Sequence, residues 1–462
     1  MTAAPLSADT IFALASAPGR AGVAVMRLSG PAAGPAAVAI AGVKNPAPRR
    51  AIRCRMVDPA DGSPLDDGLL IWFPAPASFT GEDVAELHIH GGRATVEAVA
   101  GVLAAQPGLR LAEPGEFSKR AFLAGKIDLT EAEALADLVD AGTDAQRRQA
   151  LRQLGGGLSA RLEGWRTALI GCLAHTEAWI DFPDEDLPAD VADAARARIA
   201  GLEAEIRVFL ADNRRGERLR DGLQVAILGA PNVGKSSLLN VIAAREAAIV
   251  SELAGTTRDV IEVHLDLGGW PVTLADTAGL RHAADAADAV EREGMRRALD
   301  RAAAADLRLA VFAAGGTAGA PDRASLDLVA GGALAVVNKI DLGGADPLAG
   351  LPGAAGAVRV SARTGDGVRE LLGRIEAAAR DLFEGASGAG GPAPLTRLRH
   401  RTALTDCAGA LARAVATAAD EGAAELVAED LRLAARALGR VTGRVDVEDL
   451  LDVIFADFCI GK

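Results

Sequence analysis

Gly229-Ala-Pro-Asn-Val-Gly-Lys-Ser236 is the stretch on which the fold turns. It fits the pattern G-x-x-x-x-G-K-[ST], and both flanks suit it. The apolar run Leu223–Leu228 predicts a short buried strand before it, and Ser237-Leu-Leu-Asn-Val-Ile242 predicts a helix after it. Glycines let the backbone curl until its N–H groups point inward onto phosphate oxygens, and the helix N-terminus adds the positive end of its dipole. In such a loop Lys235 reaches the β- and γ-phosphates and Ser236 ligates Mg²⁺. Asn232, Val233, Gly234 and Ser237 complete the predicted phosphate contacts.

Reading downstream, Asp276-Thr-Ala-Gly279 follows the apolar Pro271–Ala275 and brings a carboxylate to a strand end for the Mg²⁺ shell. Thr277 and Ala278 lie with it against the nucleotide, and Gly279 can present an N–H to the γ-phosphate. Asn338-Lys-Ile-Asp341 follows a predicted strand, Ala333–Val337. Asp341 can accept from guanine N1–H and the 2-amino group, a pattern adenine cannot match, and a buried acceptor left unpaired discriminates strongly. Asn338 and Lys339 flank it, and Ser361-Ala362 fits a further loop whose backbone meets the guanine carbonyl. Gly255-Thr-Thr-Arg-Asp259 occupies the place of a first switch loop, with Thr257 as the natural second Mg²⁺ ligand. The phosphate loop, Asp276–Gly279, Asn338–Asp341 and Ser361-Ala362, four elements in this order and context, indicate a guanine-nucleotide site. Many GTPases orient the attacking water with Gln after the D-x-x-G glycine. That position is Leu280 here, so another organiser is required, and Asn232 offers a neutral oxygen suited to a monovalent cation.

A length of 462 residues predicts two to four domains, and an apolar fraction of one half describes a soluble globular protein. The formal charge of −13 argues against a nucleic acid gripped over the whole surface, so any RNA contact falls to a local patch or a partner. Cys54, Cys172, Cys407 and Cys459 are far apart with no CxxC pair, which indicates a reducing cytoplasm and neither a zinc ribbon nor a disulfide framework. The N-terminus lacks a signal-peptide pattern, and no run of about 18 apolar residues predicts a membrane span.

Composition and punctuation divide the chain. Residues 1–120 read as a compact α+β domain, with strand-like runs at Ala21–Leu28, Gly68–Phe73 and Val84–His90. From about residue 121 to 220 the periodicity is helical, with breaks at Gly155–Gly157 and Pro183–Pro188. Residues 221–384 alternate strands with helical segments, implying βαβ units and a mostly parallel sheet. Gly385–Pro394 reads as a flexible linker, and the remainder to residue 462 is helical again. The predicted fold is multidomain α/β and α+β, with the P-loop block inserted into a discontinuous helical domain; two separate helical domains fit the same pattern.

The motifs together resemble the MnmE (TrmE) family of tRNA modification GTPases over essentially the whole chain. The resemblance is carried by Gly229–Asn240 with Pro231-Asn232, by Gly255–Asp259 and by Asp276–Arg281. Distant segments agree: Ser78-Phe-Thr-Gly-Glu-Asp83, His90-Gly-Gly92, Pro114-Gly-Glu-Phe-Ser-Lys-Arg-Ala-Phe-Leu-Ala-Gly-Lys-Ile-Asp-Leu129 and the terminus Phe458-Cys-Ile-Gly-Lys462. The resemblance implies that the N-terminal domain dimerises and binds 5,10-methylene- or 5-formyl-tetrahydrofolate, with Arg27, Glu86 and Lys126 at folate positions and Lys462 reaching back toward them. It also maps a K⁺ loop onto Ser251, Leu253 and Thr256 beside Asn232, with Ser251 and Thr256 contacting the nucleotide as well.

By the same resemblance, Glu291 in Val290-Glu-Arg292 orients the water, although Glu293 is close on the same helix and Arg281–Val290 is about three residues longer than usual. Glu291 and Lys235 are therefore the expected catalytic pair, and Cys459 is expected to matter for modification without an assigned chemical step. His88 and His90 share one face of a strand, lack a third metal ligand, and read as polar neighbours of the folate pocket. The implied activity is K⁺-stimulated GTP hydrolysis in a homodimer. With an FAD-dependent MnmG-type partner, in a heterotetramer that carries most of the tRNA contact, it would serve aminomethyl-type modification at C5 of the wobble uridine. The alternatives are a ribosome-assembly GTPase of the Era or Der type, acting as an RNA-binding switch, and a nucleotide-binding scaffold without turnover.

Overall fold

The computed structural model describes residues 9–181, 189–212, 214–245, 262–276, 305–315, 321, 323–351, 354–384, 394–418, 423–445, 451, 454–455 and 458–461. Its contacts resolve into two units. One comprises Met1–Ala136, Gln153–Leu202 and Asp406–Lys462; the other comprises Asp137–Arg152 and Glu203–Thr405.

The first unit opens with β1 (Thr10–Leu14), β2 (Ala21–Ser29), α1 (Ala33–Ala41), β3 (Ile52–Val57), β4 (Pro64–Phe73), β5 (Val84–Gly91), α2 (Arg93–Ala104) and β6 (Leu109–Leu111). The strands form one sheet in the order β3-β4-β5-β2-β1-β6, antiparallel except for the β1–β6 pair. Alternation along the strands sorts the two faces. Ala24, Met26 and Leu28 of β2 and Ala85, Leu87 and Ile89 of β5 join a core with residues of α1 and α2. The intervening positions, Arg27 on β2 and Glu86 and His88 on β5, therefore lie on the opposite face.

Helices α3 (Glu116–Leu123), α4 (Leu129–Asp140), α5 (Asp144–Leu154), α6 (Gly157–Asp181) and α7 (Ala189–Leu210) follow. The expected break at Gly155–Gly157 separates α5 from α6. The break at 141–143 carries no Pro and only one Gly, so periodicity alone passed over it. In α6 the buried residues are Leu158, Leu162, Trp165, Leu169, Cys172 and Thr176. These alternate spacings of four and three, the seam of a coiled coil. The matching residues Val427, Leu431, Ala434, Leu438 and Val441 stand on a later helix, Ala424–Thr442, which packs against α6.

The second unit holds α8 (Arg215–Asp221), β7 (Leu223–Leu228), α9 (Lys235–Arg245), β8 (Glu262–Leu267), β9 (Trp270–Asp276) and β10 (Leu307–Ala313). It continues with α10 (Arg323–Ala330), β11 (Leu334–Asn338), β12 (Val358–Arg359) and α11 (Val368–Glu384). The sheet order is β12-β11-β10-β7-β9-β8, parallel except for the β8–β9 hairpin. Central β7, β10 and β11 are almost continuously apolar, as strands covered on both faces must be. Amphipathic α11 buries Val368, Leu371, Leu372, Ile375, Ala379 and Phe383 against this sheet, and its last aromatic stacks on Trp270 at 5.5 Å. Helices α12 (Leu398–Thr417) and α13 (Ala424–Thr442) complete the chain's described elements. The expected Pro183–Pro188 break and all but Pro394 of the expected linker lie outside the described residues. Among the described residues no helix is long and apolar enough to cross a membrane.

Candidate nucleotide-binding site

β7 is the strand at which the order of the second sheet reverses, with β9 on one side and β10 on the other. In open α/β sheets ligands bind beyond the carboxyl ends of the strands at such a point. The loop Gly229–Gly234 leaves β7 there and leads into α9. Its shape depends on backbone conformations that a side chain resists. Gly229 has φ +145°, Gly234 φ +95°, and Asn232 is left-handed at φ 61°. A Cβ on Gly229 would overlap the Val311 carbonyl, and one on Gly234 would overlap the Asn338 amide nitrogen. Val233 is buried while Asn232, Ser236 and Ser237 are exposed, so the loop anchors inward through its valine and offers its polar groups outward. Helix α9 begins at Lys235, so its unpaired N–H groups open on the loop.

Lys235 is buried at 7 % exposure, and its ammonium donates to the carbonyls of Gly229 (3.1 Å) and Ala230 (2.9 Å). These two bonds tie the ammonium to its own loop.

Asn338, at the end of β11 and 1 % exposed, is the hub. Its Nδ2 donates to the Val233 carbonyl at 2.9 Å, and its Oδ1 accepts from the N–H of Lys339 (2.8 Å) and of Ala362 (3.0 Å). One side chain thus joins the phosphate loop to both predicted base-recognition loops. Lys339, left-handed at φ 64°, sends its ammonium to the Asn232 carbonyl at 2.6 Å. Ser361, fully buried, donates to Asp341 Oδ1 at 2.7 Å and accepts from the N–H of Thr364 at 3.1 Å. Asp341 is thereby aimed while its second oxygen is 3.9 Å from Arg363. Asp276 ends β9, paired alongside Ile227 of β7, so the backbone brings it to the same sheet edge. Ser251, Leu253, Thr256, Thr257, Thr277, Ala278, Gly279, Leu280, Glu291 and Glu293 lie outside the described residues, as do the switch segments that hold them.

The first unit contains a second polar site. Arg27 and Glu86 are directly opposed on β2 and β5, and both guanidinium contacts to Glu86 Oε1 are 3.0 Å. His88 Nε2 stands 3.3 Å from Glu86 Oε2, and Arg27 lies 5.9 Å over the Phe117 ring. The chain's end returns here. Ile460 bridges Pro114, a Cβ on Gly461 would overlap the Leu14 carbonyl, and Arg27 donates to the Gly461 carbonyl at 3.4 Å. Cys459 is exposed on this returning segment, and Lys462 lies outside the described residues. Lys126 donates to the Pro76 carbonyl at 2.5 Å and packs beside Gly81. His90 instead pairs with Asp66 at 2.8 Å, and no metal-ligand cluster occurs among the described residues.

Comparison with known proteins covers nearly the whole chain. The description "GTP-binding protein TrmE N-terminus" matches residues 10–126, and "MnmE helical domain" matches residues 129–459. The chain is 57 % identical over 454 residues to the tRNA modification GTPase MnmE of Parvibaculum lavamentivorans, covering 98 % of this chain and 100 % of that one. The protein of the same name from Rhodospirillum rubrum is 58 % identical over 470 residues, covering 99 % and 100 %, and that of Paramagnetospirillum magneticum is 57 % identical, covering 98 % and 100 %. The chain belongs to the MnmE family of tRNA modification GTPases. Membership over the full length sets aside the Era/Der alternative.

Beneath the Arg27 site runs an ion network that sequence reading of the MnmE-type segments missed. Arg120, 5 % exposed, donates to Glu82 Oε2 (3.1 Å), Glu116 Oε1 (2.9 Å) and Asp9 Oδ1 (2.9 Å). Arg110 adds bonds to Glu116, and Ser29 donates to Glu82 at 2.7 Å. Burial opposes ionisation of Glu116, but hydrogen bonds from Arg110, the Glu113 N–H and Arg120 outweigh it and hold the carboxyl below its ordinary range. The only sequence signal was the family stretch Pro114–Leu129, which carries Glu116 and Arg120 without saying what they touch.

Proposed function

We propose that the chain binds GTP with Mg²⁺ in the second unit and hydrolyses it to GDP, and that this drives aminomethyl-type modification of the tRNA wobble uridine. The observation that carries the reading is the Asn338 hub. A guanine-selecting Asp341 is held by Ser361, and the same loops are tied through Asn338 to the glycine-shaped phosphate loop. The domain reading attached to it is 1–120, 121–220, 221–384 and 385–462, with GTP and Mg²⁺ in the third of these. Ser236 and Thr257 would ligate Mg²⁺, and the exposed, left-handed Asn232 suits K⁺ together with Ser251, Leu253 and Thr256. Lys235 would exchange its two carbonyl partners for phosphate oxygens, and Glu291 would orient water.

The Arg27–Glu86 pair supports tetrahydrofolate binding. A cation suits the glutamate tail and a carboxylate suits the pterin ring; Lys126 and the returning terminus with Cys459 and Lys462 flank it. The bound folate supplies a one-carbon unit, while this chain's residues hold and orient it. On that same sheet face Val23 is 57 % and Leu69 37 % exposed, which supports a homodimer through the first unit. The negative net charge supports tRNA contact shared with an MnmG-type FAD protein, in the cytoplasm. The test is wobble-nucleoside mass spectrometry of tRNA from cells lacking the gene, complemented with wild type or Lys235→Ala. Wild type restores the 5-aminomethyl-type nucleoside and Lys235→Ala does not. Full restoration by Lys235→Ala overturns the reading.

A further inference from the structure

The corner between α4 and α5 belongs to the nucleotide-binding unit. Helix α5 is capped by a Thr143-x-x-Gln146 box, in which Gln146 Oε1 accepts the Thr143 and Gly142 N–H groups, both at 3.1 Å. The Gln146 amide nitrogen is left to donate to the Arg220 carbonyl at 2.9 Å, on the turn just before β7. In the first turn of α5, the Ala145 N–H donates to the Gly269 carbonyl at 3.1 Å. Gly269 forms the β8–β9 hairpin turn with Gly268. Ala145 itself is 4 % exposed and shares a buried cluster with Val225, Leu265 and Leu274 of β7, β8 and β9. At the end of α4, Asp137 accepts from Arg220 (3.1 Å) and Arg397 (2.7 Å).

The turn is crowded at Gly268 and in ordinary contact with α5 at Gly269. A Cβ at Gly268 would meet Glu376 Oε1 at 2.5 Å, and one at Gly269 would meet Asp144 Cβ at 4.0 Å. The hairpin is also singular in the sequence: Gly255–Asp259 lies just before β8, and β9 ends at Asp276, the first residue of Asp276-Thr-Ala-Gly279. β9 thus places Asp276 beside the end of β7 that leads into the phosphate loop, while the hairpin's closed end rests on α5.

We propose that the α4–α5 corner, Asp137–Arg152, is an output of the nucleotide site, with Gln146 as the positioning residue that fastens it. The hairpin's position under GTP or GDP sets the order of the first turns of α5. This rests on the GTPase reading above and adds to it a path of regulation through named contacts. A displacement of β8–β9 reaches Ala145 through one hydrogen bond and a shared core, with no mobile segment between.

Hydrogen–deuterium exchange on the full-length protein tests it, with GDP and with a non-hydrolysable GTP analogue. Peptides spanning 229–240 report nucleotide binding, and peptides spanning 137–152 report the coupling. The analogue is expected to slow exchange in 137–152 at least threefold relative to GDP. Gln146→Glu keeps the capping acceptor and loses the donor to Arg220; it is expected to abolish that difference while 229–240 stays protected. Asp137→Asn, which weakens the second tie, should reduce the difference without touching the cap. Indifference of 137–152 to nucleotide while 229–240 responds overturns the coupling alone, as does a full response in both variants. Failure of either nucleotide to protect 229–240 relative to the nucleotide-free protein overturns the GTPase reading and the coupling with it.

Discussion

Gly234→Ala bears directly on the joint between the phosphate loop and the base-recognition loops. The new Cβ would overlap Asn338 Nδ2, so the amide must move and abandon its 2.9 Å bond to the Val233 carbonyl. Leaving that buried acceptor unpaired costs about 1–3 kcal/mol. Holding an L side chain at φ +95° costs about 1–3 kcal/mol more. The two are independent, so the loop's native shape is penalised by about 2–6 kcal/mol. If nucleotide binds that shape, as proposed above, even the lower figure corresponds to a roughly 30-fold rise in GDP Kd. Titration with a fluorescent GDP analogue measures it, with a thermal melt beside it to show whether the sheet is retained. A variant that binds GDP within threefold of wild type, at an unchanged melting temperature, would refute the reasoning.

Asn338→Asp keeps the shape but turns a carboxylate oxygen toward the Val233 carbonyl, so GDP affinity should fall by at least tenfold in the same titration. Arg120→Met leaves the buried Glu82 without its cation, while Arg110 and the Glu113 N–H still bond Glu116; the loss is about 3–5 kcal/mol, and denaturant melts should register it in the first unit while GTP turnover stays within twofold. Glu116, lowered from an ordinary 4.5, contributes stability that is complete above that value and is withdrawn as pH falls through its lower folded pKa. With Arg110 still in place, Arg120→Met should flatten the loss of stability below about pH 4.5 only in part, and removal of Arg110 as well should flatten it further, followed by circular dichroism. An equally steep acid transition in the variant would contradict the assignment.

The phosphate loop, its strand and its helix were legible because each rests on local signals: an apolar run, two glycines with positive φ, and the start of a helix. β11 and the base-recognition motif were legible for the same reason. Less visible was Asn338's partnership with Val233, separated by 105 positions and set only when β11 pairs beside β10 and β10 beside β7. The alternating strand Val84–His90 announced a sheet with two unlike faces, yet nothing local said that Arg27 would stand opposite Glu86 rather than one register away. Nothing local to Arg120 or Glu82 announces burial, which follows from the convergence of the segments that hold Asp9, Glu82 and Glu116. The Thr143–Gln146 cap was present as a pattern, but its tie to Arg220 depends on the chain returning 74 residues later.

The central claim, that this MnmE-family chain turns over guanine nucleotide at the site built on Gly229–Ser236, is tested most directly by steady-state hydrolysis. GTP and ATP are compared at saturating Mg²⁺, each in KCl and in NaCl of equal ionic strength. GTP is expected to be hydrolysed, faster in K⁺ than in Na⁺, and ATP to be left intact. ATP turned over as readily as GTP, or no GTP turnover in either salt, would contradict it.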